Sequence, residues 1–502
     1  MDSFLQAVSI ALTPGPIAAN VLGVAVGLVF GAIPGLTYTM ALALVLPLTF
    51  GMDPMTAIAL LIGTYIGGMS GGTISAILIG VPGTPSAAAT VMDGYAMRLA
   101  GKASIALSLS VIVSAFGGLF SLAVMVVSVH LIAKLAIKFG PTEIFALVLF
   151  GMSTICGLAE KSLLRGLISG LIGLMVMTIG IDEISGAQRM TFDTVTLQQG
   201  VNPVVAMIGL FAVPHVIVTI MTYVRGLQPS LRPEDAKVVY PPWAMLRRNL
   251  GLMTRASGIG TVIGAIPGTG GPIAAFIAYD HAKRFAKDKS RFGKGAEEGV
   301  IAPEAANNAV TGGALIPLLS LGIPGDPATA VILSGLLIHG LIPGPTLFVE
   351  HATEVYSIYL AVFVANIVVV GLQLYGVRLF VKILLIPPHL LAVAVLLMCV
   401  IGSFALRNSV FDVYTMAIVG LIGYLLLRAR IPLTPIILGL VLGETLEKEF
   451  RTAMILSEGS YDIFYTSPVA MAFFALTLLV VILQLRANAR VRLAGRASEQ
   501  KA

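Results

Sequence analysis

From residue 17 to residue 485 the chain is a succession of apolar stretches. Many match or exceed the roughly 20 residues that carry an α-helix across a bilayer. Charged residues make up only 11% of the chain and hydrophobic ones 57%, against about 25% charged in a soluble domain. Water cannot solvate such a surface, so lipid must, and every backbone polar group inside lipid has to be satisfied internally. The predicted fold class is therefore an all-α polytopic membrane protein of about 10–12 crossings with re-entrant or broken helices. Cys156 and Cys399 both lie in apolar runs without metal-ligand spacing and are read as packing residues.

The formal net charge of +6 is concentrated in short polar segments. Arg225, Arg232, Lys237, Arg247, Arg248 and Arg255 lie in 225–256; Lys283, Arg284, Lys287, Lys289, Arg291 and Lys294 lie in 281–298. The tail carries Arg486, Arg490, Arg492, Arg496 and Lys501. No basic stretch is interleaved with aromatic residues, which excludes a nucleic-acid surface. The positive-inside rule places all three segments in the cytoplasm. A single crossing at 257–280 would put the first two on opposite faces. The conflict is resolved if 257–280 enters the membrane and turns back at Gly264-Ala265-Ile266-Pro267-Gly268-Thr269-Gly270-Gly271-Pro272, where Pro removes a donor and Gly loosens the backbone. No basic n-region precedes the first span, which is expected to remain in the mature chain with its N-terminus outside.

The same pentapeptide occurs earlier as Gly31-Ala32-Ile33-Pro34-Gly35. A second element follows each copy in the same order: Gly80-Val81-Pro82-Gly83-Thr84-Pro85, then Gly322-Ile323-Pro324-Gly325-Asp326-Pro327. Loop charges after corresponding elements swap sign between the copies, as an inverted repeat requires. The expected organisation is an N-terminal segment 1–14, a first membrane repeat 15–224, a cytoplasmic linker 225–256 and a second repeat 257–450. A C-terminal membrane helix at 451–485 and a basic cytoplasmic tail at 486–502 complete it.

Interrupted helices in lipid leave N–H and C=O groups that cost several kcal/mol each unless occupied. Paired interruptions in two halves point to a midplane binding site, and half-helix N-termini favour an anion. The candidate substrate positions are Gly31, Pro34, Gly35, Thr37, Gly80, Pro82, Gly83, Thr84 and Ser86 in the first half. Gly264, Pro267, Gly268, Thr269, Gly270, Gly322, Pro324, Gly325, Asp326 and Thr329 are those of the second. A carboxylate and two amides in an apolar segment mark an ion path, so Glu304, Asn307, Asn308 and Thr311 are candidate ligands of a hard cation. Helix–helix glue is the competing reading of those residues, and Asp326 reads equally as ligand, proton carrier or cap.

These motifs, with Asp93-Gly94-Tyr95-Ala96, Arg291-Phe292-Gly293-Lys294-Gly295, Ala302-Pro303-Glu304-Ala305-Ala306-Asn307-Asn308, Leu336-Leu337-Ile338-His339-Gly340-Leu341 and Pro343-Gly344-Pro345, resemble the large membrane subunit of the tripartite tricarboxylate transporters. The similarity covers about residues 15–450. It implies a multi-pass permease of the bacterial inner membrane that is not an enzyme and needs no cofactor. Its cargo would be a tricarboxylate such as citrate, or a related di- or aromatic carboxylate, with Na+ as the co-transported cation. Its partners would be a small membrane subunit and a periplasmic solute-binding protein. Two alternatives use the same residues: a passive anion channel, and an intramembrane aspartyl protease pairing Asp280 with Asp326. An ATP-driven pump is excluded by the lack of a phosphate-binding G-x-x-x-x-G-K-[ST] loop.

Overall fold

The structure is a computed structural model that describes residues 2–34, 36–136, 138–158, 163–182, 184–224, 243–383 and 388–499. In chain order the helices are α1 (Asp2–Ala11), α2 (Pro14–Ala32), α3 (Tyr38–Val45), α4 (Pro54–Ile79), α5 (Ala88–Leu99), α6 (Ala103–Ala136), α7 (Pro141–Leu158), α8 (Leu163–Met177), α9 (Val195–Gln198) and α10 (Pro203–Val224). They continue as α11 (Trp243–Ala265), α12 (Gly270–Phe285), α13 (Glu298–Leu321), α14 (Pro327–Ile338), α15 (Leu347–Glu350), α16 (Ala352–Ile383), α17 (Pro388–Arg407), α18 (Val410–Arg428), α19 (Thr434–Leu456), α20 (Ile463–Thr466) and α21 (Pro468–Glu499). Six of the described helices are long and apolar enough to cross a membrane, and further apolar helices are shorter. The protein is an all-α polytopic membrane protein.

Two compact units form. One is built from 1–134 and 211–409, the other from 135–210 and 410–502. These units cut across the two sequence halves, because each half gives its earlier part to the first unit and a later part to the second. The polar stretch expected as linker is also partly helical: α11 starts at Trp243. The reason is amphipathicity, since Leu246, Leu252, Met253 and Ala256 are buried while Trp243 and Leu250 are exposed. Arg225, Arg232 and Lys237 lie outside the described residues.

The first unit is built round α4 and α13. Asp53 starts α4, its Oδ1 accepting from the N–H groups of Met55 and Thr56, both at 3.1 Å. Pro54 fills the first turn, where its missing N–H is harmless. Every residue from Ala57 to Leu78 is buried, as is every residue from Gly299 to Ser320 on α13. Polar groups on these helices therefore face protein rather than lipid. Both helices stop at a left-handed glycine: Gly80 (φ 70°, ψ 15°) and Gly322 (φ 71°, ψ 15°). A side chain there would strain the turn by about 1 kcal/mol or more. The two halves thus share a local geometry as well as a motif. Within each half the two breaks also meet. Gly83 lies against the backbone of Gly31 and Gly72, and the Gly268 N–H donates to the Gly325 carbonyl at 2.7 Å.

In the second unit the short hairpin Gly180–Ile181 and Gln188–Arg189 carries an ion cluster. Asp182 pairs with Arg189 at 2.6 Å and Arg451 at 2.8 Å, and both arginines also reach Glu447. The Ser185 hydroxyl, with help from Arg451 and Arg189, holds the Asp182 carboxyl well below the usual range against the opposing effect of burial. A depressed carboxyl stabilises the fold fully above its unfolded pKa, near about 4, and loses that contribution as pH falls toward its folded value. The unfolding-temperature gap between wild type and Asp182→Asn is therefore expected to stay constant from about pH 7 to 5 and to shrink below about pH 4. A gap that persists in acid would contradict the assignment.

Candidate functional site

Four helix ends created by the breaks present first-turn N–H groups in the first unit, and they are closed unequally. Thr37 caps α3, its Oγ1 accepting from the Met40 N–H at 3.2 Å. Asp326 closes α14 with a capping box: its Oδ1 accepts from the Thr329 N–H at 2.8 Å, and Thr329 Oγ1 accepts from the Asp326 N–H at 2.9 Å. Asp326 Oδ2 takes the Tyr65 hydroxyl at 2.8 Å, and the side chain is buried. The other two ends have no side-chain cap. Thr84 precedes the 3-10 turn Pro85–Ala87 that leads into α5. Its hydroxyl lies 3.0 Å from that of Ser86. Thr269 precedes α12, but its hydroxyl turns back to the carbonyls of Ile263 and Ile266.

The two uncapped ends meet. A Cβ on Gly271 would lie 2.9 Å from Ser86 Cβ and 2.6 Å from Asn307 Oδ1. Asn307 is buried, and its amide nitrogen donates to the Met69 carbonyl at 3.1 Å. That bond turns Oδ1 toward the start of α12, where no donor reaches it among the described residues. An orphaned buried acceptor costs about 1–3 kcal/mol unless a donor or a positive charge reaches it.

One turn earlier on α13, Glu304 is fully buried. It accepts from Thr73 of α4 at 2.7 Å, Thr90 of α5 at 2.5 Å and Ser114 of α6 at 3.1 Å. Asn308 fixes the polarity. Its Nδ2 donates to Ser114 Oγ at 2.8 Å and to the Glu304 carbonyl at 3.1 Å, while Ser70 donates to its Oδ1 at 3.0 Å. The Ser114 hydrogen is thereby left for Glu304. No Lys, Arg or His pairs with Glu304 among the described residues. Carboxylate, hydroxyl and amide oxygens from four helices gather here, oxygen types that hard cations take and that also tie the helices to one another.

Of the positions expected from sequence, Thr84, Ser86 and Asn307 come together at the α5 and α12 ends, Gly270 opens α12, and Glu304 and Asn308 lie in the adjoining polar cluster. Thr37, Asp326 and Thr329 serve as caps, while Thr311 back-bonds to the Asn308 carbonyl at 2.6 Å. Gly264 packs on the Val310 backbone. Gly31, Gly80, Pro34, Pro82, Gly83, Pro267, Gly268, Gly322, Pro324 and Gly325 form the breaks themselves or pack at them. Gly35 lies outside the described residues. Sequence reasoning missed Tyr65, Thr90 and Ser114. The protease alternative is overturned: Asp280 is exposed and pairs with Arg284 at 2.6 Å, whereas Asp326 is a buried cap.

Comparison with known proteins decides the family. The model of the tripartite tricarboxylate transporter TctA family matches residues 17–438. The chain belongs to the tripartite tricarboxylate transporter TctA family. Two relatives in Agrobacterium vitis are similar. One, an uncharacterized 52.8 kDa protein in the TAR-I ttuC' 3' region, is 36% identical over 484 residues, which cover 96% of this chain and 95% of the relative. The other, an uncharacterized protein in the TAR-II ttuC' 3' region, is 38% identical over 231 residues, covering 46% of this chain and 96% of the relative. No solved structure matches. This TctA family member is thus a multi-pass membrane subunit of a tripartite carboxylate transporter. The family implies partner subunits, a binding protein among them.

Proposed function

We propose that the protein is the permease of a secondary transporter importing carboxylates across the bacterial inner membrane. A cation gradient, that of Na+, drives it. A periplasmic solute-binding protein delivers the cargo and a small membrane subunit completes the complex. The two repeats, 15–224 and 257–450, stand in opposite orientation around the site.

One internal comparison carries this reading. Tyr65 and Asn307 lie fifteen residues before the left-handed glycines Gly80 and Gly322, and Thr84 and Asp326 lie four residues after them. The positions are equivalent. In the second half the helix end is closed by the carboxylate of Asp326, which Tyr65 reaches from the first half. In the first half Thr84 stands in place of the acid, and Asn307 reaches across from the second half to the Met69 carbonyl. The closed end displays what the open end accepts: a carboxylate held by first-turn N–H groups and a hydroxyl.

The carboxylate bridges the ends of α12 and the Pro85 turn, assisted by Thr84 and Ser86. Asn307 Oδ1 would repel it unless a cation lies between them, so cation and anion enter together. Glu304 supplies the negative charge that holds the cation when cargo is absent, and attraction in a poorly polarisable interior couples the two occupancies. Alternating access around the paired breaks then carries both inward.

Reconstituted uptake with both partner subunits, across a panel of labelled carboxylates, tests this. Accumulation above the external concentration is expected only with an inward Na+ gradient. Flux that merely equilibrates the carboxylate would instead establish the passive channel.

A further inference from the structure

The transport reading leaves two sequence motifs without a part: Asp93-Gly94-Tyr95 on α5, and the Arg291–Gly295 block after α12. The structure joins them. Asp93 is completely buried. Its Oδ1 accepts three backbone N–H groups, those of Gly293 at 2.9 Å and of Gly295 and Ala296 at 2.8 Å. Left-handed Gly293 and Gly295 (φ 81° and 98°) let these amides converge. Oδ2 accepts the hydroxyl of Tyr279, a buried residue of α12 whose ring meets Phe292 edge-on at 5.5 Å. No Lys, Arg or His pairs with Asp93 among the described residues.

Asp93 and Tyr279 belong to the two helices whose uncapped ends meet at Ser86 and Gly271. Asp93 lies seven residues after Ser86, and Tyr279 eight after Gly271. At 1.5 Å per residue both are roughly 11–12 Å from their helix ends. The tie therefore joins α5 and α12 at the same level, about two turns from the site. Two helices held at both levels keep a fixed separation; held at one, they splay.

We infer that Asp93 is a positioning residue for carboxylate binding. By clasping Tyr279 and the 293–296 amides it sets the separation of the two helix ends that the anion bridges. The inference rests on the carboxylate reading of those ends. Gly299 belongs to the same device, because a Cβ there would lie 2.6 Å from Asp93 Cγ and displace the carboxylate.

Tyr279→Phe removes the inter-helix tie and leaves the amide nest intact. In the reconstituted complex its KM for the transported carboxylate is expected to rise about tenfold, the effect of one lost hydrogen bond to a charged group. Maximal rate and the half-saturating cation concentration, both read at saturating carboxylate, stay at wild-type values. Gly299→Ala is expected to raise KM in the same way. An unchanged KM in both variants would overturn the inference. So would an equal fall in maximal rate and cation affinity, which marks general damage. Spin labels at the exposed positions Met92 on α5 and Ile277 on α12 give a readout that needs no transport. In Tyr279→Phe their separation is expected to widen or broaden, and a wild-type distance distribution would overturn the inference. Wild-type complex that imports no carboxylate while the labels still report splaying would sink the carboxylate reading and leave the clamp standing.

Discussion

Replacing Glu304 with glutamine is expected to lower gradient-driven uptake by about a hundredfold or more while leaving membrane insertion near wild type. A buried charge that compensates a partner ion is worth about 3 kcal/mol or more, and that energy is about a hundredfold in affinity. Glutamine keeps the shape. Its oxygen can still accept from Thr73 and Ser114, and its NH2 group faces Thr90, whose hydroxyl can turn to accept. Packing therefore survives while the charge is lost. Glu304→Ala differs, because it leaves three buried hydroxyls without their acceptor and opens a cavity, so about 2–4 kcal/mol of stability goes with the activity. Uptake as a function of Na+ concentration in proteoliposomes, with thermal unfolding of the same preparations, separates the two. Wild-type Na+ dependence in Glu304→Gln would remove this residue from the cation path.

A single methyl group should act almost as strongly at Gly271. The added Cβ meets Asn307 Oδ1 at 2.6 Å, Ser86 Cβ at 2.9 Å and Met69 Cε at 3.1 Å. Only the methionine end can yield freely. Either α12 withdraws from Ser86 or Asn307 turns away, and both separate the groups that face the cargo. Gly271→Ala is expected to weaken carboxylate affinity by about ten- to a hundredfold, in line with overpacking costs of about 1–3 kcal/mol. Equilibrium binding of the transported carboxylate at fixed Na+ measures it. Unchanged affinity would place the cargo elsewhere.

The breaks were legible because their signal is local: Pro34, Pro82, Pro267 and Pro324 each interrupt an apolar run beside glycine. The paired motifs were legible for the same reason. The inequality of the four helix ends was not. Asp326 was readable as a cap, but its capping box with Thr329 and the bond from Tyr65 show only in the fold that this end is already closed. Thr90 and Ser114 are hydroxyls on two other helices, and nothing near them in sequence points at Glu304. Asp93 stood out as a motif residue, yet its amide partners lie some two hundred residues along the chain. The compact units were hidden as well, since each draws its helices from both halves.

The most direct test is a cryo-electron microscopy map of the complex in lipid nanodiscs, recorded with saturating transported carboxylate and Na+ and again without them. Density that appears with the cargo is expected between the first turn of α12 and Thr84–Ser86, with a smaller feature beside Asn307 Oδ1. Cargo density at any other place, or side chains filling that gap in both maps, would contradict the account.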